Sequence, residues 1–175
     1  MKSYKQKQRR VKDITRPINT IIVHCTATEE GRDFTAHDVD RWHRQQGWSM
    51  IGYHYLIRLD GTIELGRELS EAGAHCRGHN TDSIGIAYVG GLDGNGECKD
   101  TRTTEQKHSL RALLQVLKSI WPDAEICGHR DKSPDLNGDG QITSTEWLKD
   151  CPCFDAKKEY ADVKGDVFRA TLRQD

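Results

Sequence analysis

The sequence lacks a long apolar run, a strong net charge and a secretory leader. No apolar stretch approaches the ~20 residues of a membrane span, so we expect no membrane insertion. The formal net charge is −1, which gives no reason to expect nucleic acid as a partner. No apolar segment follows the basic N-terminus MKSYKQKQRRVKD, which is therefore not a secretory signal. These absences predict a protein that is made and folded in a reducing cytosol.

Internal repeats and a second domain are also absent. A chain of 175 residues is long enough to bury one core. We predict a basic flexible arm at residues 1–17, one folded domain at 18–168 and a short tail at 169–175.

Six cysteines invite a disulfide interpretation, but the missing secretory signal favours metal ligation or buried thiols. We predict unpaired thiols at Cys76, Cys98 and Cys127.

Apolar runs that alternate with helical patterns predict an α/β fold, a single domain with a central mixed β-sheet flanked by helices. The predicted strands are residues 19–28, a hairpin at 52–67 around an Asp60-Gly61 turn, 83–91 and 124–130. The predicted helices start after an N-cap at Thr35, after a capping box of Thr103 and Gln106, and within 154–164. Three histidines in helical segments are predicted to be solvated, namely His37, His43 and His108.

Three side chains at the edges of predicted elements could bind a metal ion. His24 lies at the end of the first strand, His129 at the end of the last strand, and Cys151 in the loop before the final helix. Two imidazoles and one thiolate with an open water position are typical of catalytic zinc. Their long separations make the spacing alone a weak signal, because each residue could equally be a locally bonded histidine or a buried thiol. Cys153 is a rival to Cys151 as the sulfur ligand.

Five blocks of sequence carry a more specific signal, and they occur in the order IIVHCTAT, QQGWSMIGYHYLIRLDGTIELGR, AHCRGHNTDSIGIAYVGG, GHRD and LKDCPCFD. Together they resemble the zinc-dependent N-acetylmuramoyl-L-alanine amidases of tailed phages, which are similar in turn to peptidoglycan-recognition proteins. The resemblance covers roughly residues 19–165. It implies a mixed sheet flanked by helices, one zinc ion, and hydrolysis of the amide between the lactyl group of N-acetylmuramic acid and L-alanine of the stem peptide.

The resemblance also implies roles for individual residues. His24, His129 and Cys151 match the zinc ligands, and the match favours Cys151 over its rival. Tyr53 matches an active-site hydroxyl and Lys149 a lysine two places before the ligand cysteine.

His75 and Asn80 match a stretch that borders the substrate groove in the family. Alternation along the strands places His54 on the face opposite Tyr53. The same alternation turns Cys25 away from a metal that His24 faces, which predicts a core thiol.

These residue types suit amide hydrolysis. Two neutral imidazoles and one thiolate leave zinc with a net charge of about +1, which lowers the pKa of a bound water toward ~7. Lys149 and Tyr53 can stabilise the oxyanion of the tetrahedral intermediate. The sequence leaves open which of the two handles the proton of the leaving amine.

A twelve-residue segment at 135–146, DLNGDGQITSTE, matches a calcium-binding loop with glycine at its sixth position. Its predicted calcium ligands are Asp135, Asn137, Asp139, the backbone of Gln141, Thr143 and Glu146. The alternative is a polar turn in which Thr143 and Glu146 cap a short helix at 144–150. We expect calcium to hold the chain that leads to Lys149 and Cys151.

The predicted function is that of a phage or prophage endolysin, a monomer in the host cytoplasm that reaches peptidoglycan after the membrane is permeabilised. One alternative is a regulatory protein that binds the phage RNA polymerase through the N-terminal arm. Another is a non-catalytic peptidoglycan-recognition module, but such modules usually lack the cysteine ligand that Cys151 supplies.

Overall fold

The computed structural model describes residues 14–165, and a buried apolar strand lies inside its main sheet. This strand, β1 (Thr20–Cys25), has the sequence TIIVHC and is buried along its whole length. Ile21 and Val23 pack into the larger hydrophobic core, whereas Ile22 packs into a smaller cluster. Successive side chains point to opposite faces of a sheet, so both faces of β1 are covered. A near-continuous apolar run is the pattern that such a strand requires.

β1 lies inside a five-stranded mixed sheet. The order across the sheet is β4 (Ile63–Leu65), β3 (Tyr55–Ile57), β5 (Ser83–Tyr88), β1 and β7 (Glu125–Gly128). β1 pairs in parallel with both β5 and β7, β3 pairs in parallel with β5, and β4 runs antiparallel to β3. A separate pair is formed by β2 (Thr28–Glu29) and β6 (Gly91–Leu92). The predicted mixed sheet and its hairpin, β3–β4, are confirmed.

Two helices begin at the predicted capping residues. α1 (Ala36–Gln45) follows Thr35 and α2 (Thr104–Ile120) follows Thr103, each through a reciprocal capping box. The buried apolar side chains of α2 are Leu110, Leu113, Leu114 and Leu117, and they pack on the larger core. Among the described residues, no helix is long and apolar enough to cross a membrane.

The C-terminal segment folds back on the start of α2. Its helix, α3 (Ala156–Glu159), is shorter than the predicted one. The buried guanidinium of Arg102 donates to the carboxylates of Asp100 and Glu159 and to the hydroxyl of Tyr160. A buried charge must be paired to avoid a large desolvation cost. Tertiary contacts of this kind, rather than continued helix, hold the end of the domain.

The described end of the basic arm is attached to the domain by Arg16. Its Nε atom donates to the Leu69 carbonyl at 2.7 Å, and its Nη1 atom donates to the Ser83 carbonyl at 2.8 Å. Residues 1–13 and 166–175 lie outside the described residues. The predicted flexible arm and the tail at 169–175 therefore stay predictions.

A disulfide bond joins Cys98 to Cys153, so the prediction of an unpaired Cys98 is wrong. The two residues are 55 positions apart, yet their Cα atoms lie 5.6 Å apart, within the range that a disulfide needs. Spacing could not show this proximity, because it arises only when the chain beyond Cys151 returns to the loop after β6. The bond also removes Cys153 as a rival metal ligand. The remaining fully buried cysteines are free, as predicted, and are Cys25, Cys76 and Cys127.

We predict that reduction of this bond lowers the free energy of unfolding of the metal-free protein by about 2–4 kcal/mol, because the cross-link restricts the unfolded chain. Denaturant titrations with and without a thiol reductant measure the change. Cys98→Ser should show the same loss, and a reductant should cause it no further loss. Equal stability of the oxidised and reduced parent would contradict the prediction.

Candidate metal centre and catalytic site

The three predicted zinc ligands converge at one edge of the sheet. The ligand atoms of His24, His129 and Cys151 all lie within 4.8 Å of one another. Among the described residues, no other group of three or more histidine, cysteine or acidic side chains converges in this way. The cause is the parallel pairing of β1 with β7, in which Val23 is opposite Gly128. Val23 is followed by His24 within β1, and Gly128 is followed by His129 at the start of a 3₁₀ turn (His129–Lys132), so both imidazoles emerge at the same carboxyl edge.

The segment that carries Cys151 is held against β7 by several contacts. Its carbonyl accepts a hydrogen bond from the Arg130 backbone N–H at 2.8 Å. The hydroxyl of Tyr88 donates to the Pro152 carbonyl at 2.7 Å. The Pro152 ring lies so close to Gly128 that a Cβ atom there would be 2.5 Å from the proline Cδ. The glycine therefore allows the loop to approach the strand and deliver the thiol to the two histidines.

The donor set fits a tetrahedral zinc ion. His24 Nδ1 lies 3.8 Å from Cys151 Sγ, close to the roughly 3.5 Å that tetrahedral geometry gives for usual Zn–N and Zn–S distances. The His24 and His129 rings are 4.7 Å apart, centroid to centroid. The backbone N–H of Cys25 points at Cys151 Sγ from 3.3 Å, as a donor to a thiolate would. Two imidazoles and one thiolate with a free fourth position are typical of a catalytic rather than a structural zinc site.

Burial sets the protonation of the ligands. It lowers the pKa of His24 well below its ordinary value, and the neighbouring positive groups act in the same direction. Burial and the charge of Lys149 lower the pKa of His129 to about 4. Both imidazoles are therefore neutral at pH 7, the form that binds a metal. A hydrogen bond shared with the Cys25 thiol, together with burial, raises the pKa of Cys151, so metal binding there must displace a proton.

The two predicted catalytic side chains flank this centre in different ways. The Tyr53 ring lies 5.2 Å from the His24 ring, and burial raises the pKa of its hydroxyl. Tyr53 therefore stays a neutral hydrogen-bond donor. Lys149 is exposed to solvent, two residues before Cys151, and its charge reaches the site because it lowers the pKa of His129.

The residues predicted to border the substrate groove lie mainly beneath the site. His75 is buried, and its Nδ1 atom is 2.9 Å from His24 Nε2. Asn80 uses its side-chain oxygen to accept the backbone N–H groups of His75 and Cys76 at 2.8 and 2.9 Å. It thereby shapes the turn that carries His75. Substrate contact by these two residues stays a prediction.

Sequence reasoning missed the structural part played by other polar residues. His43 is half-buried, not solvated, and its Nδ1 atom accepts the Gly52 N–H at 3.0 Å, because the chain after α1 folds back over it. His54 is buried on the far side of His75, and its Nδ1 atom accepts the Gly85 N–H. The other helical histidines are exposed as predicted, namely His37 and His108. The signal in the sequence that could have predicted a buried, hydrogen-bonded His54 was its place as a polar residue inside an otherwise apolar segment.

The segment at 135–146 is an irregular loop whose carboxylates bind its own backbone. Asp135 accepts the N–H groups of Gly138 and Gly140. Glu146 is buried and accepts the N–H groups of Thr143 and Leu136, which lowers the pKa of its carboxyl. The structure forms no helix at 144–150, so the short helix of the polar-turn alternative is wrong. The remaining predicted calcium ligands are exposed, as Asp135 is, and are Asn137, Asp139, Gln141 and Thr143.

Comparison with known proteins agrees with this geometry. Residues 14–152 match the amidase family described as N-acetylmuramoyl-L-alanine amidase. The endolysin of Klebsiella phage KP32 is 38% identical over 138 residues, which are 79% of this chain and 82% of that protein. The endolysin of Escherichia phage T7 is 36% identical over 140 residues, 80% of this chain and 83% of that protein.

Among solved structures, the N-acetylmuramoyl-L-alanine amidase LysC from Clostridium intestinale has the same fold. It matches with a TM-score of 0.64 and 31% identity, over 84% of this chain and 85% of that chain. The sequence match spans most of the domain, and the relatives are covered over most of their own length. The chain therefore belongs to the N-acetylmuramoyl-L-alanine amidase family.

Proposed function

We propose that the protein is an endolysin-type peptidoglycan hydrolase that cleaves the amide between N-acetylmuramic acid and L-alanine with zinc-activated water. The observation that carries this proposal is the convergence of His24, His129 and Cys151 at the sheet edge. Family membership and the endolysins among its relatives support the same reaction.

Two residues of the chain, Tyr53 and Lys149, act on the transition state of hydrolysis. When bound, a zinc ion would supply a hydroxide nucleophile near neutral pH and polarise the scissile carbonyl. Tyr53, as a neutral donor beside His24, donates a hydrogen bond to the oxygen on which charge develops. Lys149, which is exposed and whose charge reaches His129, adds a positive charge that favours the same oxyanion.

The segment that follows β1, at 26–29, lines a surface cleft with a volume of about 350 Å³, which we propose as a binding surface for the substrate. Its lining combines aromatic and charged side chains, including Phe34, Trp42, Glu29 and Arg32. Aromatic faces pack on the apolar faces of a glycan or peptide, while the charged groups bind its polar edges.

The two rival functions draw less support. A recognition module needs no complete metal-ligand set, whereas Cys151 completes one here. The predicted RNA polymerase contact depends on the arm, most of which lies outside the described residues, and it stays a prediction.

We propose further that the loop at 135–146 binds calcium through the predicted ligands. Asp135, Asp139 and Glu146 put three carboxylates in one short loop, and carboxylate oxygens are the ligands that calcium prefers. The bound ion would order the chain that leads to Lys149 and Cys151.

The main test is the identity of the bond that the protein cuts. Mass spectrometry of digested peptidoglycan should show a new free amino group on L-alanine. We expect about one zinc per chain in the parent, and loss of hydrolysis in His24→Ala, His129→Ala and Cys151→Ser. His108→Ala, which removes an exposed histidine, is the matched control and should remain active. New reducing sugar ends without a new free amino group on L-alanine would contradict the proposed bond, and full activity in a ligand variant would exclude that ligand.

A second prediction concerns the groups that act on the transition state. Tyr53→Phe and Lys149→Ala should each lower kcat by about 10²-fold or more while zinc stays bound, since each removes a stabiliser of the oxyanion. Steady-state kinetics and metal analysis of the same samples measure both quantities. Tyr55→Phe and Lys158→Ala are the matched controls. A variant that loses zinc, or that changes KM alone, would show that its proposed role is wrong.

A third prediction concerns calcium. The double variant Asp135→Asn, Glu146→Gln should lose calcium binding, the calcium-dependent rise in melting temperature and part of the hydrolytic activity at fixed zinc. Titration calorimetry, thermal melts and peptidoglycan digestion give the three readouts. Asp123→Asn with Glu105→Gln removes the same charges elsewhere and should behave as the parent. No calcium heat in the parent would exclude the site, and parental activity in the calcium-free variant would exclude its coupling to hydrolysis.

A further inference from the structure

The two ring nitrogens of His24 face different partners. Nδ1 lies on the side of Cys151 Sγ, at 3.8 Å, where the ligand atoms converge. Nε2 lies 2.9 Å from the Nδ1 atom of His75. An imidazole binds a metal through a nitrogen that carries no hydrogen, so the hydrogen of a neutral His24 ligand must be on Nε2. Only one proton arrangement then satisfies the contact, with His24 donating and His75 accepting.

The arrangement continues beyond His75. Because its Nδ1 atom accepts, a neutral His75 carries its hydrogen on Nε2, which lies 3.3 Å from Ser83 Oγ. The Ser83 hydroxyl in turn donates to the carbonyl of His79, which can only accept. Each hydrogen bond in this series is therefore donated in the same direction, from His24 through His75 and Ser83 to the His79 carbonyl. His24, His75 and Ser83 are exposed by 1%, 8% and 0%, so water offers little competition for these bonds.

The packing around His75 fixes its ring as well as its protons. A Cβ atom at Gly85 would lie 2.5 Å from the His75 ring, and one at Gly73 would lie closer still. Two glycines thus form a slot in which the imidazole fits between strand and turn. Asn80 holds the backbone of the same turn through the His75 N–H. The ring is therefore held in place before any substrate arrives.

From this geometry we infer that His75 is a positioning residue for the metal ligand His24, which it holds in the Nε2–H tautomer with Nδ1 free for zinc. This role deepens the proposed function and rests on its metal site. It differs from substrate contact, because His75 acts through His24 from beneath the site. Hydrogen bonding to the non-ligating nitrogen orients a histidine ligand and raises its basicity, and loss of such a partner costs about 10- to 100-fold in metal affinity.

The test compares two substitutions at one position. His75→Leu removes the acceptor and keeps an apolar side chain of moderate size, whereas His75→Asn places an amide oxygen near the position of the lost Nδ1 atom. Zinc affinity, measured by competition with a chelating indicator at fixed pH, should fall by about 10- to 100-fold in His75→Leu. His75→Asn should recover most of that loss. Long-range proton–nitrogen correlation spectra of histidine-labelled parent should show the Nε2–H tautomer of His24 in the metal-free protein.

Each alternative outcome has a distinct meaning. A His24 with its hydrogen on Nδ1 in the metal-free parent overturns the inference, as does unchanged zinc affinity in His75→Leu. A raised KM with unchanged zinc affinity in that variant overturns it in favour of substrate contact. A parent that binds no zinc overturns the proposed metal site itself. If circular dichroism shows that His75→Leu does not fold, the parent spectra and the zinc affinity of Ser83→Ala, which must fall, decide the matter.

Discussion

The parallel pairing of β1 with β7 is the constraint on which the site depends. Side chains that follow paired positions of parallel strands emerge at one edge of a sheet, and here they are His24 and His129. β1 is apolar because it is covered on both faces, whereas β7 is an edge strand that is buried only at Cys127 and Gly128. A shift of one residue in register would turn one imidazole to the opposite face of the sheet, and the three ligand atoms would no longer converge.

The third ligand depends on a different kind of support. Cys151 comes from a loop without regular structure, which no strand register can place. Its position follows from the Pro152 ring against Gly128, the hydrogen bond from Tyr88, and the disulfide bond that starts two residues later at Cys153. Several local contacts thus position Cys151, whereas a single strand register positions the two histidines.

The interior beneath the metal-binding edge is polar, which is costly unless every group has a partner. A buried hydrogen-bonding group left without a partner costs about 1–3 kcal/mol. This cost is avoided because His24, His75, Ser83 and the His79 carbonyl are hydrogen-bonded in series. The same dry surroundings lower the pKa values of the histidines and keep them neutral. Stability and metal binding therefore require the same protonation states.

Sequence alone determined the features that depend on local pattern. Apolar runs identified β1 and β5, capping residues located the starts of α1 and α2, and the blocks around His24, His129 and Cys151 predicted the ligand set that converges in space. Only the tertiary structure decided the Cys98–Cys153 bond, the burial of His43 and the place of His75 behind His24. Each of these features brings together residues that are far apart in the sequence. Strand order and the path of the loops create this proximity, which no periodicity in the sequence encodes.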